Sequence, residues 1–176
     1  MAGRDDFLEN TFVNRTLFEL EAHHRPEAGL RWGTVLAIYT ASKRVQPMNK
    51  VEEIQAIAGH GLEGDRYSNS GHPTRQITLI ESEALEAAAR DYGFDIAAQE
   101  SRRNVLTRGT ALNHLVGREF KLGEVRLRGL RLCEPCTHLE QLTGKDMIKA
   151  LRHRGGLRAE ILEGGTIRAG DTITEI

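Results

Sequence analysis

Apolar residues in this chain fall in short runs separated by glycines, a pattern of brief strands with a few helices between them. From Trp32 to Tyr39 the run is β-branched and apolar and predicts a strand; Val51 to Ala58 predicts another. Gly59, Gly61, Gly64 and Gly71 mark a long, tightly turned loop before a short strand at Gln76 to Ile80. Glu81 to Arg90 carries strong helix formers, with acids first and a base last, and predicts the most secure helix. Asn104 to Thr107 reads as a strand, and Leu112 to Val116 as a half-helix ended by Gly117. The N-terminal stretch from Asp6 to His23 spaces Phe7, Leu8, Phe12, Leu17, Phe18 and Leu20 largely at helical intervals, suggesting an amphipathic helix or arm before Pro26 and Gly29.

The stretch Val125 to Leu132 changes phase. Val125 and Leu127 alternate with Arg126 and Arg128, then Leu130 and Leu132 become the apolar positions. Strand side chains alternate faces, so a one-residue slip implies an inserted residue, and Gly129 sits where a β-bulge is expected. Beyond Cys136, Thr137 and Glu140 have capping-box spacing for a short helix ended by Gly144. Thr143 can cap a second helix with Met147, Ile148 and Leu151 as its apolar stripe, stopped by Gly155 and Gly156. Leu157 to Leu162 and Thr172 to Ile176 close the chain as strands, with a Gly164-Gly165 turn between them. The expected fold is a β-rich mixed α/β barrel with a few short inserted helices, not a doubly wound sheet.

The only two cysteines are the ends of Cys133-Glu134-Pro135-Cys136, directly after the bulged strand. Two cysteines in 176 residues make no disulfide framework, and the N-terminus lacks a signal peptide's apolar core, so a cytoplasmic protein with reduced thiols is expected. No apolar run approaches the roughly 20 residues that span a bilayer. The net charge of -1 provides no global field toward nucleic acid or an anionic membrane. Arginines are nonetheless uneven: Arg102, Arg103 and Arg108; Arg126, Arg128 and Arg131; Arg152, Arg154 and Arg158. Each cluster could hold a small anion or form a solvated basic face.

Four readings of the thiol pair compete. It could supply half of a tetrahedral zinc site, with the other ligands from His60, His72, His114, His138 or His153. It could exchange disulfides, although such motifs sit early in a βαβ unit that the sequence does not show. It could be inert packing. Or Cys136, beside a helix start and near Arg131, could be a reactive thiolate that ligates metal or carries sulfur. Physical chemistry places the last modestly ahead and prefers Cys136 to Cys133.

Three further stretches accompany the pair in a fixed order. They are Gly61-Leu62-Glu63-Gly64-Asp65-Arg66-Tyr67 followed by Arg75-Gln76-Ile77-Thr78-Leu79-Ile80-Glu81; Arg102-Arg103-Asn104-Val105-Leu106-Thr107-Arg108-Gly109 followed by Leu112-Asn113-His114-Leu115-Val116-Gly117; and Gly164-Gly165-Thr166-Ile167-Arg168-Ala169-Gly170-Asp171. With the cysteine pair between them, the chain resembles the MOSC domain, named for the C-terminal domain of molybdenum-cofactor sulfurase, over residues 31–176, with 1–30 as an N-terminal arm.

That resemblance implies a MOSC-type β-barrel and a pterin-bound molybdenum site. In the amidoxime-reducing members the second cysteine of the pair ligates molybdenum, here Cys136, and an Arg-x-Asn motif helps hold the cofactor, here Arg102 and Asn104. Guanidinium suits the pterin's phosphate because it bonds phosphate in a bidentate fork. Arg75 is a candidate anion contact or a strand-edge charge, and Asp65 and Arg66 are candidate cofactor contacts or turn braces. Many members carry a histidine where Tyr67 stands; His72, His114 and His138 have no assigned role. The implied activity is a molybdenum-cofactor (molybdopterin) oxidoreductase reducing small N-hydroxylated compounds, with electrons from a separate donor protein, and no nucleic-acid or membrane partner. The alternative is a sulfur carrier holding a persulfide on Cys136, a role proposed for fused relatives whose pyridoxal-phosphate domain is absent here.

Overall fold

A computed structural model of the chain describes residues 31–176, so the N-terminal helix or arm expected over 1–30 lies outside the described residues. The strands are β1 (Arg31–Thr40), β2 (Asn49–Val51), β3 (Glu53–Ile57), β4 (Gly61–Leu62), β5 (Ile77–Glu81), β6 (Val105–Arg108), β7 (Glu119–Leu122), β8 (Val125–Leu132), β9 (Leu157–Glu163), β10 (Gly165–Arg168) and β11 (Thr172–Glu175). The helices are α1 (Ser82–Tyr92), α2 (Thr137–Thr143) and α3 (Met147–Leu151). Short 3₁₀ turns lie at Pro73–Arg75, Ala98–Ser101 and Leu112–Leu115.

Strands β11, β7, β8, β9, β5, β6 and β1 hydrogen-bond in that order, and β11 pairs back to β1, closing a mixed barrel. A closed ring of seven strands cannot be wholly antiparallel, because reversing direction at every step would not return to the start. The required parallel pair is β5–β6. Parallel neighbours need a crossover, and α1 supplies it, so the chain does contain one βαβ unit. The cysteine pair lies outside that unit in the chain, after β8.

Ile77, Leu79, Val105, Phe120, Leu127, Leu157 and Ile173 are completely buried inside the barrel. On β5 the alternate residue Ile80 points outward, under Ala84, Leu85 and Ala88 of α1, Leu139 of α2, and Met147, Ala150 and Leu151 of α3. Burial on both faces explains why Leu79 and Ile80 are apolar in succession instead of alternating with polar residues. The helix layer therefore covers one side of the barrel and leaves a cleft along its margin.

The bulge falls where the phase slip indicated. Gly129 faces Ala159 and Arg131 faces Arg158, leaving Leu130 as the extra residue. A Cβ on Gly129 would overlap the Leu115 carbonyl oxygen, and the Gly129 backbone bonds both Arg118 and Gly117.

Several details differ from expectation. Val51 to Ala58 is not one strand: the chain breaks at Glu52, and β2 pairs with β1 while β3 pairs with β10. The Gly59 to Gly71 loop contains β4, which pairs antiparallel with β3. Gly165 is not only a turn residue but opens β10. Both short helices start on other caps than expected. Cys136, not Thr137, is the first cap, and Asp146, not Thr143, is the second, accepting from Lys149 N at 3.4 Å. The Glu140 carboxylate reaches Ile148 N at 3.0 Å instead of closing a capping box, because α3 folds back against α2.

Candidate functional site

The loop joining β8 to α2 presents its two cysteines differently. Cys133 is buried and Cys136 is exposed; both are free thiols. Cys133 N donates to Gly156 O at 2.7 Å, while its carbonyl accepts from Arg103 Nη2 at 2.6 Å. A Cβ on Gly155 would stand 2.5 Å from that carbonyl and 3.2 Å from Pro135 Cδ, so the α3–β9 turn can pack this closely only as glycine. Glu134 is tied from the same turn: His153 N donates to Oε2 at 3.0 Å, and Nδ1 lies 3.1 Å from Oε1. Cys136 caps α2 with its backbone, accepting from Leu139 N at 2.9 Å, and its side chain takes no part in the cap. The loop is thus clamped at Cys133 and Glu134 and leaves the Cys136 thiol directed to the cleft it lines with His138, Leu139 and Leu142.

Arginines dominate the cleft. Arg44, Arg66, Arg102, Arg103 and Arg158 line the part beside Cys136. Arg75 and Arg131 line its continuation, which Arg44, Arg66, Tyr67 and Arg158 share, together with Ser70, His72 and Thr74. These side chains divide by what they already hold. Arg103 is fully committed, donating also to Gly155 O and Ser101 O, each at 2.7 Å. Among the described residues it has no carboxylate partner, and burial lowers its pKa from the ordinary arginine value. Arg102, in left-handed backbone at φ 63, donates to the Arg44 carbonyl at 2.7 Å and to the Gln46 carbonyl, and so fastens loop 41–48. Burial, then the charge of Arg66, lowers its pKa. Arg66 donates to Asp65 Oδ1 at 3.1 Å, Met48 Sδ at 2.9 Å and Arg102 O at 3.0 Å. The Tyr67 ring carries Arg66 at 4.9 Å and Arg75 at 5.9 Å from its centroid.

Among the described residues, no carboxylate pairs with Arg44, Arg75, Arg131 or Arg158. Arg131 and Arg158 stand directly opposite each other on β8 and β9. Like charges in that position repel, which an anion between them would relieve. Four other arginines of the sequence clusters are neutralised elsewhere: Arg126 and Arg128 on Glu119, Arg108 on Glu86, and Arg154 on Asp91.

The residues singled out from sequence are placed in two layers. Cys136, Arg66, Arg75 and Arg102 reach the cleft. Asn104 and Asp65 lie beneath it. Asn104 Oδ1 accepts from Thr78 N and Oγ1, while Nδ2 donates to Tyr39 O and Asp65 Oδ1. Asp65 also accepts from Thr40 Oγ1, Ala41 N and Tyr67 N. Both hold the glycine loop onto β1 and β5. His72 and His138 reach the cleft; His114 is exposed and lines neither part of it. His138 Nε2 is buried without a hydrogen-bond partner. The sequence pattern did not single out Arg44, left Arg158 between an anion contact and a solvated basic face, and gave no sign of the clamp role of Arg103. Among the described residues, no three His, Cys, Asp or Glu side chains gather as metal ligands.

The MOSC family model matches residues 66–174, more than half of the chain, from the glycine loop to the last strand. The chain belongs to the MOSC-domain family. The matched span contains the cysteine pair and the arginine cleft, except Arg44. Solved structures agree on the MOSC fold. YuaD from Bacillus subtilis superposes with a TM-score of 0.70 at 16% identity, over 80% of this chain and 93% of its own. YiiM from Escherichia coli gives 0.64 at 20% identity, over 84% and 70%. YiiM from Geobacillus stearothermophilus gives 0.61 at 15%, over 82% and 73%. None of the curated proteins matches the sequence. No helix among the described residues of this MOSC domain is long and apolar enough to cross a membrane.

Proposed function

We propose that this MOSC domain binds the molybdenum cofactor through Cys136 and, as a cytoplasmic oxidoreductase, reduces small N-hydroxylated compounds. The observation that carries the reading is the pairing of one accessible thiol with a cleft in which Arg44, Arg75, Arg131 and Arg158 have no carboxylate partner among the described residues. The pterin cofactor is an anion with a thiol-compatible metal. Thiolate sulfur is a soft ligand suited to such a metal. The opposed Arg131–Arg158 pair is a group that a bound anion would satisfy.

In this reading Cys136 holds the metal. Arg75, Arg131 and Arg158 take the phosphate end, and Arg44 closes over the junction. Asp65 and Asn104 act one layer down, holding Arg66 and the glycine loop in place. Molybdenum, when bound, supplies the two-electron redox change. The overall reaction consumes two electrons and two protons and converts an N–OH group to N–H plus water. The electrons come from a separate donor protein. His138 is the side chain placed to hold or deliver a proton beside Cys136.

Metal analysis of protein purified from a host that makes the cofactor tests this. The expected result is near-stoichiometric molybdenum, lost in Cys136→Ala and retained in Cys133→Ala. Zinc lost in both variants would remove the proposal in favour of a structural site. Metal-free protein releasing cyanide-labile sulfur from Cys136 would instead make the domain a sulfur carrier.

A further inference from the structure

A second groove opens on the opposite side of Arg102 from the cationic end of the cleft. It is walled by Val45, Pro47 and Met48 of loop 41–48, by Leu142 and Thr143 at the end of α2, and by Gln99 and Glu100. Arg102 and Leu142 line both this groove and the Cys136 cleft, so the two adjoin.

Its chemistry is the reverse of the cationic end. Glu100 is neutralised, with Lys145 Nζ at 2.6 and 2.8 Å from its carboxylate oxygens and Ala97 N at 2.7 Å. Arg102 spends its guanidinium on the carbonyls of Arg44 and Gln46. Apart from Gln99 and Thr143, what remains available is apolar. Val45 is 67% exposed and Leu142 38%, and both stand at this groove. Large apolar side chains left in water at the mouth of a site gain by covering one another with a ligand. Loop 41–48 is held open and fixed by Arg102 and by Arg66 on Met48 Sδ at 2.9 Å, so the groove is preformed. Its volume of about 220 Å³ is below the roughly 300–1,000 Å³ of drug-sized pockets, which suits one ring or a short branched chain.

We propose that this groove is the subsite for the apolar body of the substrate, making the substrate an uncharged compound with a small aryl or branched alkyl group attached to its reacting N–O function. This rests on the reading that chemistry occurs at Cys136. The cationic end takes the cofactor's anion, and the substrate lies on the other side of Arg102 with its N–O group toward Cys136 and His138.

Protein-observed NMR titration of the purified full chain with two probes tests the assignment. The probes are a phenyl-substituted and a methyl-substituted amidoxime. The expected result is that the phenyl probe binds about tenfold tighter or better, with shifts at Val45, Gln99 and Leu142. Val45→Asp should abolish that preference, since its exposed position tolerates the change. Val116→Asp, at an exposed apolar residue remote from the groove, should preserve it. Equal affinities, an unchanged preference in Val45→Asp, or shifts confined to other surfaces each overturn the subsite. Molybdenum content is measured on the same samples. A phenyl preference without molybdenum supports the subsite and removes the cofactor reading, whereas molybdenum without a preference removes the subsite alone.

Discussion

Arg103 Nη2 donates to the carbonyl of Cys133 at 2.6 Å, so a buried cation holds the start of the cysteine loop. The same guanidinium ties the α3–β9 turn and the end of the 3₁₀ segment through Gly155 and Ser101. A lysine keeps the charge but cannot reproduce the fork that meets three carbonyls. Arg103→Lys should therefore lose about 2–3 kcal/mol of stability, in line with the roughly 1–3 kcal/mol cost of each unsatisfied buried group. Urea unfolding measures this. Maleimide labelling of the folded protein gives a second readout: Cys136 alone should react in the parent, and Cys133 should become reactive in Arg103→Lys. Unaltered stability together with protected Cys133 would mean that the clamp is dispensable.

The facing arginines on β8 and β9 suggest a different experiment. Arg131→Gln removes a like-charge cross-strand contact, so the ligand-free domain should gain about 0.2–1 kcal/mol at low salt. The gain should shrink as ionic strength rises toward about 1 M, where the screening length falls to about 3 Å. Anion binding should move oppositely. Inorganic phosphate should raise the melting temperature of the parent more than that of Arg131→Gln. Loss of stability in the variant at low salt would show that the pair is not under repulsion.

The sequence revealed the barrel because its strands keep strict local signals: alternation, glycine punctuation and the phase slip at Gly129. It also separated Cys136 from Cys133. The arginine assignments were less accessible. Arg126 and Arg158 look alike in sequence, yet one is neutralised by Glu119 and Glu163 while the other faces Arg131 at the cleft. That difference is set by which strand lies beside which, a long-range fact. Asn104 drew attention as a motif residue, but its polar atoms are occupied by Thr78, Tyr39 and Asp65, partners from three distant segments. Capping failed at α2 for a similar reason: the Glu140 carboxylate meets Ile148 N across the next turn, a contact that outcompetes the local box.

Gly129 combines a bulge with a close approach. Its backbone lies against the Leu115 to Arg118 turn, and an added methyl would collide with the Leu115 carbonyl, a backbone atom that cannot swing away. Gly129→Ala should cost about 1–3 kcal/mol or somewhat more, the range of overpacking in a well-filled interior. Gly144, at φ 66 with open space around its Cα, should fail differently. Gly144→Asn should be nearly neutral because asparagine tolerates left-handed backbone at a helix end. Chemical denaturation of the two variants separates steric from conformational demand. Equal costs would contradict the distinction.

Glu81 offers a pH-resolved test at the end of β5. Burial is the largest influence on its carboxyl and raises the pKa above the ordinary 4.5; the Leu112 N–H opposes this, and the charge of Glu83 adds to it. The folded state consequently binds this proton more tightly than the unfolded chain. Stability falls as pH rises from the unfolded pKa through the folded one, and the loss is complete above that window. Glu81→Gln retains an oxygen able to accept from Leu112 N, which donates at 2.8 Å in the parent, but removes the ionisation. The variant should therefore gain on the parent between pH 4 and pH 7, comparing urea midpoints at each pH with the slope unchanged. If the variant instead loses ground as pH rises, ionised Glu81 stabilises the fold and burial is not the dominant influence on it.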